Sequence, residues 1–167
     1  MPTRQTYLTL DIGGRRCALR ASAVREILPV PHLQRPPEAP PPLAGFVDLS
    51  GGVLPVVRLA VLLGLEAGDR ADPFYGHIIR LRRDVAARRI GLLVDRAVGL
   101  LDIDPQALRA VPAEQTLNGL VEAEHSEDGQ LTHVLALERL LLAEERAALD
   151  AWTRRAAARA DAWSAAP

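Results

Sequence analysis

Residues 45–65, GFVDLSGGVLPVVRLAVLLGL, permit few backbone paths. Gly51 and Gly52 tolerate the positive φ of a tight hairpin, while Val53, Leu54, Val56 and Val57 supply the β-branched and apolar residues of a returning strand. From Leu59 to Leu65 the pattern turns helical. Strand, glycine turn, strand and short helix in direct succession commit this part of the chain to a small antiparallel β unit.

The same grammar extends along the chain. Residues 7–12 alternate, with Leu8, Leu10 and Ile12 on one face and Tyr7, Thr9 and Asp11 on the other, as a half-buried strand does. Gly13-Gly14 follows as a turn, and residues 15–20 return antiparallel. A short helical turn leads into an extended 24–28 segment. Pro29, Pro31, Pro36, Pro37, Pro40, Pro41 and Pro42 then exclude regular helix or central strand, which makes this stretch a loop.

Residues 65–73 read as a polar connector. Strands at 76–82 and 88–94 flank a turn at 83–87, and another strand at 98–103 is ended by Pro105. A third hairpin pairs 120–124 with 131–137 across 125–130, where Asp128-Gly129 is the turn signal, and 137–142 is a short apolar helix. From 143 to 166 the mixture of Ala, Arg and acids is helix-forming. Leu149, Trp152, Ala156 and Trp163 share a broad face that docks the first turns of this helix, and Asp150 stands one turn before Arg154 for an ion pair.

At 167 residues the chain buries a core without disulfide or metal staples. Its only cysteine, Cys17, falls in a strand and reads as a small buried hydrophobe rather than a redox group. All 20 basic residues are arginine and are balanced by 21 acids, so no broad field attracts nucleic acid or anionic lipid. The absence of lysine also removes Schiff-base chemistry and the P-loop. No apolar run reaches bilayer length, and residues 1–20 do not read as a signal segment; the expected location is the cytoplasm, without direct membrane insertion.

Several segments in order resemble the CheW-like chemotaxis coupling proteins. The 45–65 unit is similar to that family's central motif, a Gly-Val-hydrophobic-Asn-Leu-Arg-Gly turn followed by a Leu-Pro-Val-hydrophobic-Asp-Leu strand. Val24-Arg25-Glu26-Ile27 resembles its Val-x-Glu-Ile element, and the run from Ile90 to Asp95 with the following Gly99 to Ile103 resembles its Gly-hydrophobic-hydrophobic-Val-Asp strand. The segments Leu117-Asn118-Gly119-Leu120 and Leu135 to Leu141 resemble its final hairpin and closing helix.

The resemblance implies a mainly β fold: two small SH3-like or Greek-key β-barrels side by side, with short helices and a C-terminal helix. Residues 12–68 form the first barrel, 74–142 with the N-terminal strand the second, and 143–166 the helix. It further implies a noncatalytic adaptor, free of cofactor and metal, that joins the cytoplasmic tip of a methyl-accepting chemoreceptor to the regulatory domain of a CheA-type histidine kinase within membrane-associated receptor arrays. Val24, Glu26 and Ser50 are then the receptor-facing residues. Two positions depart from the family pattern: Ser50 stands where it has Arg, and Arg58 where it has Asp. Arg58 is accordingly a further partner-binding candidate in the same region. These departures also fit an auxiliary CheW-like regulator of a parallel chemosensory pathway that competes for kinase or receptor.

A different class of function, a small β-barrel enzyme or ligand-binding protein, would have to use the acidic turn near His125. His125 and His133 flank that turn with Glu124, Glu127 and Asp128 nearby, but no second pair supports a zinc set, and a solvated acidic turn is the plainer reading. Ser126 beside His125 would diverge from it on a strand. Asp95 reads as a strand-ending turn acid rather than a general acid or base.

Overall fold

The computed structural model describes residues 3–65, 76–86, 88–112, 114–115 and 117–165. The 65–73 connector, Ala87 of the expected turn and the last helical position, Ala166, lie wholly or mostly outside these residues. Among the described residues there are eleven strands: β1 (Gln5–Ile12), β2 (Arg15–Arg20), β3 (Val24–Pro29), β4 (Leu43–Leu49), β5 (Gly52–Arg58), β6 (His77–Leu81), β7 (Gly91–Val94), β8 (Arg96–Ile103), β9 (Arg109–Ala110), β10 (Val121–Glu127) and β11 (Gln130–Leu135). Helices are α1 (Leu59–Leu62), α2 (Arg83–Ala86) and α3 (Ala143–Ser164), with single 3-10 turns between other elements.

Local chemistry explains the hairpins. Gly13 and Gly14 take φ of 55° and 75° between paired Ile12 and Arg15, and Asp128 and Gly129 take 50° and 75° between Glu127 and Gln130. Both are two-residue loops of the kind whose twist suits antiparallel strands. The third hairpin is therefore tighter than the 125–130 loop expected, and His125, Ser126 and Glu127 belong to β10. The segment expected as an apolar helix at 137–142 supplies a 3-10 turn, Leu137–Arg139.

The strands form two sheets, β8-β1-β2-β11-β10-β9 and β3-β6-β7-β5-β4. Among the described residues neither sheet closes on itself, since the end strands of each do not pair; the expected barrels are two open β subdomains. Strand membership also departs from the expected 12–68 and 74–142 division. β6 and β7 lie in the second sheet with β3, β4 and β5, whereas β2 lies in the first with β8 to β11. The chain leaves the first sheet after β2, builds the whole second sheet, and returns at Asp95. That residue is the turn acid: its Oδ2 accepts the Gly13 N–H at 2.7 Å, and its own N–H donates to the Asp11 carbonyl at 3.1 Å.

One hydrophobic cluster joins the sheets. Leu8, Leu10, Ile12 and Leu19 from the first meet Phe46, Val57, Ile79 and Leu92 from the second, with α1 and Leu149 of α3 closing the sides. β1 is more deeply set than a half-buried strand. Tyr7 packs in a second cluster with Ile103 and Val134, and buried Thr9 donates its hydroxyl to the Gly99 carbonyl at 3.0 Å.

α3 begins where Glu145 Oε2 accepts the Leu142 N–H at 2.8 Å, satisfying one of the orphan amides of a helix start. Leu149, Trp152 and Ala156 pack on the body. Trp163 does not share that contact and is 78% exposed, because residues 161–165 have run past the surface the helix lies on. Asp150 pairs with Arg88 at 2.6 Å rather than with Arg154.

Candidate partner-binding site

The start of β3, the segment after β6, the segment before β7 and the β4–β5 turn all lie at one end of the second sheet. The register forces this: Val24 opposes Leu81, Leu81 donates to the Ile90 carbonyl at 3.1 Å, Gly91 neighbours Val56 in the parallel β5–β7 pair, and Leu49 opposes Gly52. Val24, Glu26 and Ser50 therefore sit on elements that share this end.

Val24 is half-buried and its side chain packs against the shared core. Glu26 projects from β3 directly opposite Arg80 of β6, and its Oε1 accepts from Arg80 Nη1 at 2.6 Å. With the carboxylate still partly exposed, such a pair contributes at most about 1 kcal/mol, and its main effect is to fix the direction of Glu26. Ser50 is exposed at the hairpin tip, and Gly51 and Gly52 carry φ of 134° and 116°, values open to glycine and to few other residues.

Arg58 is not in this region. It ends β5, six residues from Gly52, which at about 3.3 Å per residue puts it about 20 Å from the hairpin tip. There its N–H donates to the Pro42 carbonyl at 2.7 Å and its Nη1 to the Pro41 carbonyl at 3.2 Å. Burial, and then the nearby Arg35, pull its pKa below the ordinary guanidinium value. Arg58 braces the proline segment.

Arg25, Arg83 and Arg89 join the site end without having been singled out from sequence. For Arg83 and Arg89 a signal was present: the doublets Arg82-Arg83 and Arg88-Arg89 flank one short segment, although Arg88 itself turns to Asp150 of α3. Arg89 Nη1 donates to the Gly51 carbonyl across the sheet end, so the serine-containing turn is held by an arginine from the segment before β7.

A second feature lies elsewhere. Pro40, Pro42, Val57, Leu62, Leu149 and Trp152 line an apolar cavity of about 110 Å³ between the proline segment and α3.

The histidines converge on nothing. His133 opposes Glu124 and His125 opposes Thr132, so the two rings occupy opposite faces of the β10–β11 hairpin. Glu124 takes an ion pair from Arg109 and lies 3.4 Å from His133 Nδ1. No group of three potential metal ligands occurs among the described residues. Burial, followed by the charge of Asp11, pushes the Cys17 thiol up to about 12, which leaves it without thiolate character. No helix among the described residues is long and apolar enough to cross a membrane.

Comparison with known proteins agrees with this architecture. The model of the CheW-like domain matches residues 6–145. The chemotaxis protein CheW of Rhizobium meliloti is 28% identical over 143 residues, covering 84% of this chain and 90% of the relative. The crystal structure of the scaffolding protein TtCheW from Thermoanaerobacter tengcongensis superposes with a TM-score of 0.75 at 21% identity, covering 87% of this chain and 92% of that one. A match over most of the chain, on a fold of two β subdomains and a closing helix, makes this chain a member of the CheW-like domain family, the family of chemotaxis coupling adaptors.

Proposed function

We propose that this chain is a noncatalytic cytoplasmic adaptor that couples the tip of a chemoreceptor to the regulatory domain of a CheA-type histidine kinase. The family match across residues 6–145 carries the reading. In this reading Val24, Glu26 and Ser50 face the receptor: Val24 offers apolar contact, and Glu26, oriented by Arg80, offers a fixed carboxylate. Scaffolding asks for rigid, modest surfaces whose energy is concentrated in a few anchors, and two sheets on one core meet that demand.

The test is binding to separately purified receptor tip and kinase regulatory domain from the same organism. Calorimetry should give dissociation constants in the micromolar range, about −8 kcal/mol at standard state, for each partner. All three components should elute together in size-exclusion chromatography. Failure to bind either folded partner at high concentration would reject coupling.

Ser50 in place of an arginine favours a second reading, an auxiliary regulator that competes within a parallel pathway. A serine hydroxyl cannot make the forked, charged contact of a guanidinium. A competitor binds one partner and displaces the other adaptor from it, whereas a coupler forms the ternary complex.

A further inference from the structure

The end of the second sheet carries more positive charge than its ion pairs neutralise. Glu26 offsets Arg80, and Asp84 lies 3.3 Å from Arg82. Arg25, Arg83 and Arg89 make no ion pair among the described residues. Arg89 is fixed to the Gly51 carbonyl, and its Nε and Nη2 are buried without a hydrogen-bond partner among the described residues. Burial and the charges of Arg80, Arg25 and Arg83 together pull its pKa below the usual guanidinium value. At the same sheet end an open pocket of about 370 Å³ is lined by Val24, Arg25, Arg82, Arg83 and Asp84, and Arg25 and Arg83 are near enough to Arg89 for their charges to act on it.

We propose that this pocket is a docking surface for an acidic protein segment, with exposed Arg25 and Arg83 clasping its carboxylates and Arg89 supplying a fixed positive charge behind them. A guanidinium held among like charges gains most from a carboxylate, and planar forks match the two carboxylate oxygens. Val24 gives the segment's apolar residues a seat. A nucleic acid fits worse: among the described residues the patch has no aromatic stacking platform, it includes the carboxylates of Glu26 and Asp84, and it belongs to a chain of net charge −1. The inference rests on reading this sheet end as receptor-facing. It adds the chemistry of the partner and three arginines outside the residues that the resemblance supplies.

The experiment is fluorescence anisotropy with a labelled glutamate-bearing helical peptide and its glutamine counterpart, alongside the receptor tip. Wild type, R25Q/R83Q and R89Q are compared at low and high salt. The expected result is at least about a tenfold preference for the glutamate peptide, weakened by salt, abolished in R25Q/R83Q and reduced in R89Q. The first variant changes two exposed side chains, so an unchanged melting curve separates lost binding from lost fold. Equal binding of both peptides, or no effect of R25Q/R83Q, overturns the inference. So does a single-stranded oligonucleotide that displaces the peptide at lower concentration than the peptide itself binds. Tip binding without any glutamate preference leaves coupling standing and removes the inference. Glutamate preference without tip binding supports the inference and removes coupling.

Discussion

Gly91→Ala should destabilise the protein for a reason local to three atoms. Gly91 opens β7 between β6 and β5, where an added Cβ would lie 2.7 Å from Ile78 Cγ2, 3.3 Å from Leu54 Cδ2 and 3.6 Å from Val56 Cγ2. Carbon contacts are optimal at about 3.5–4.0 Å, and all three neighbours are fully buried. Ile78 is also β-branched and stiff at χ1, so its methyl cannot swing aside. Overpacking of this kind costs about 1–3 kcal/mol, here near the upper end, and the stiffer unfolded chain returns about 0.4–1 kcal/mol. The net loss is about 2 kcal/mol. With a urea m-value of about 2 kcal/mol/M, the unfolding midpoint should fall by about 1 M at unchanged m. Ile78→Ala removes the clashing methyl and alone costs about 2–5 kcal/mol, yet on that background Gly91→Ala should be nearly neutral. The double-mutant cycle should therefore show a coupling of about 2 kcal/mol. Additivity within about 0.5 kcal/mol, the behaviour of independent sites, would refute the steric argument.

Leu149→Ala should cost about 2–4 kcal/mol in urea unfolding, because a buried side chain beside the 110 Å³ cavity is lost from the helix seat; an unchanged midpoint would mean that α3 is not docked and that Trp152 is free for a partner. Cys17 predicts an alkaline loss of stability. Its thiol is held up to about 12 in the fold, so above about pH 9 the unfolded chain releases a proton that the native state keeps, and stability falls by up to about 1.4 kcal/mol per pH unit until pH 12. Cys17→Ala should flatten that part of the stability–pH curve, and an equal slope in both proteins would rule the thiol out as its source. Ser50→Arg should leave stability within about 0.5 kcal/mol, since Gly51 and Gly52 carry the demanding angles, while raising affinity for a glutamate-bearing peptide and steepening its salt dependence. A folded variant with unchanged affinity would place Ser50 outside the docking surface.

What sequence disclosed and what it did not divides by range. Gly13-Gly14, Gly51-Gly52 and Asp128-Gly129 declare their hairpins because the required φ angles are a property of the residues themselves. The mainly β fold and the closing helix follow from such local signals. Sheet membership is not local. β8 pairs with β1 across some ninety residues of chain, as the Thr9–Gly99 hydrogen bond spans, and β2–β11 and β5–β7 are parallel pairs that no turn signal announces. Strand membership crosses the expected 12–68 and 74–142 division for that reason. The resemblance puts Arg58 in the same motif as the hairpin turn, but a seven-residue strand carries it to the other end of the sheet. Trp163 matches the helical spacing of Leu149 and Trp152, yet periodicity contains no information on where the underlying surface stops.

The all-arginine composition can be sorted by what each guanidinium touches. Long irregular segments leave backbone carbonyls without strand partners, and a planar group with five donors can satisfy several of them at once. Arg35 donates to the carbonyls of Leu43 and Ala39, Arg58 to that of Pro41, Arg88 to that of Arg146, Arg146 to that of Glu138, and Arg89 to that of Gly51. These arginines hold loops, turns and the α3 seat, and lysine, with a compact ammonium, would not replace them geometrically. Arg80 and Arg82 are committed to carboxylates within the same sheet end. Arg25 and Arg83 have neither commitment among the described residues and are exposed. A side chain whose donors are already engaged resists being drawn to a partner, because every new contact must replace an old one. One with its donors in water loses only hydration, so the energetic case for partner contact falls on Arg25 and Arg83 even though their neighbours carry the same charge.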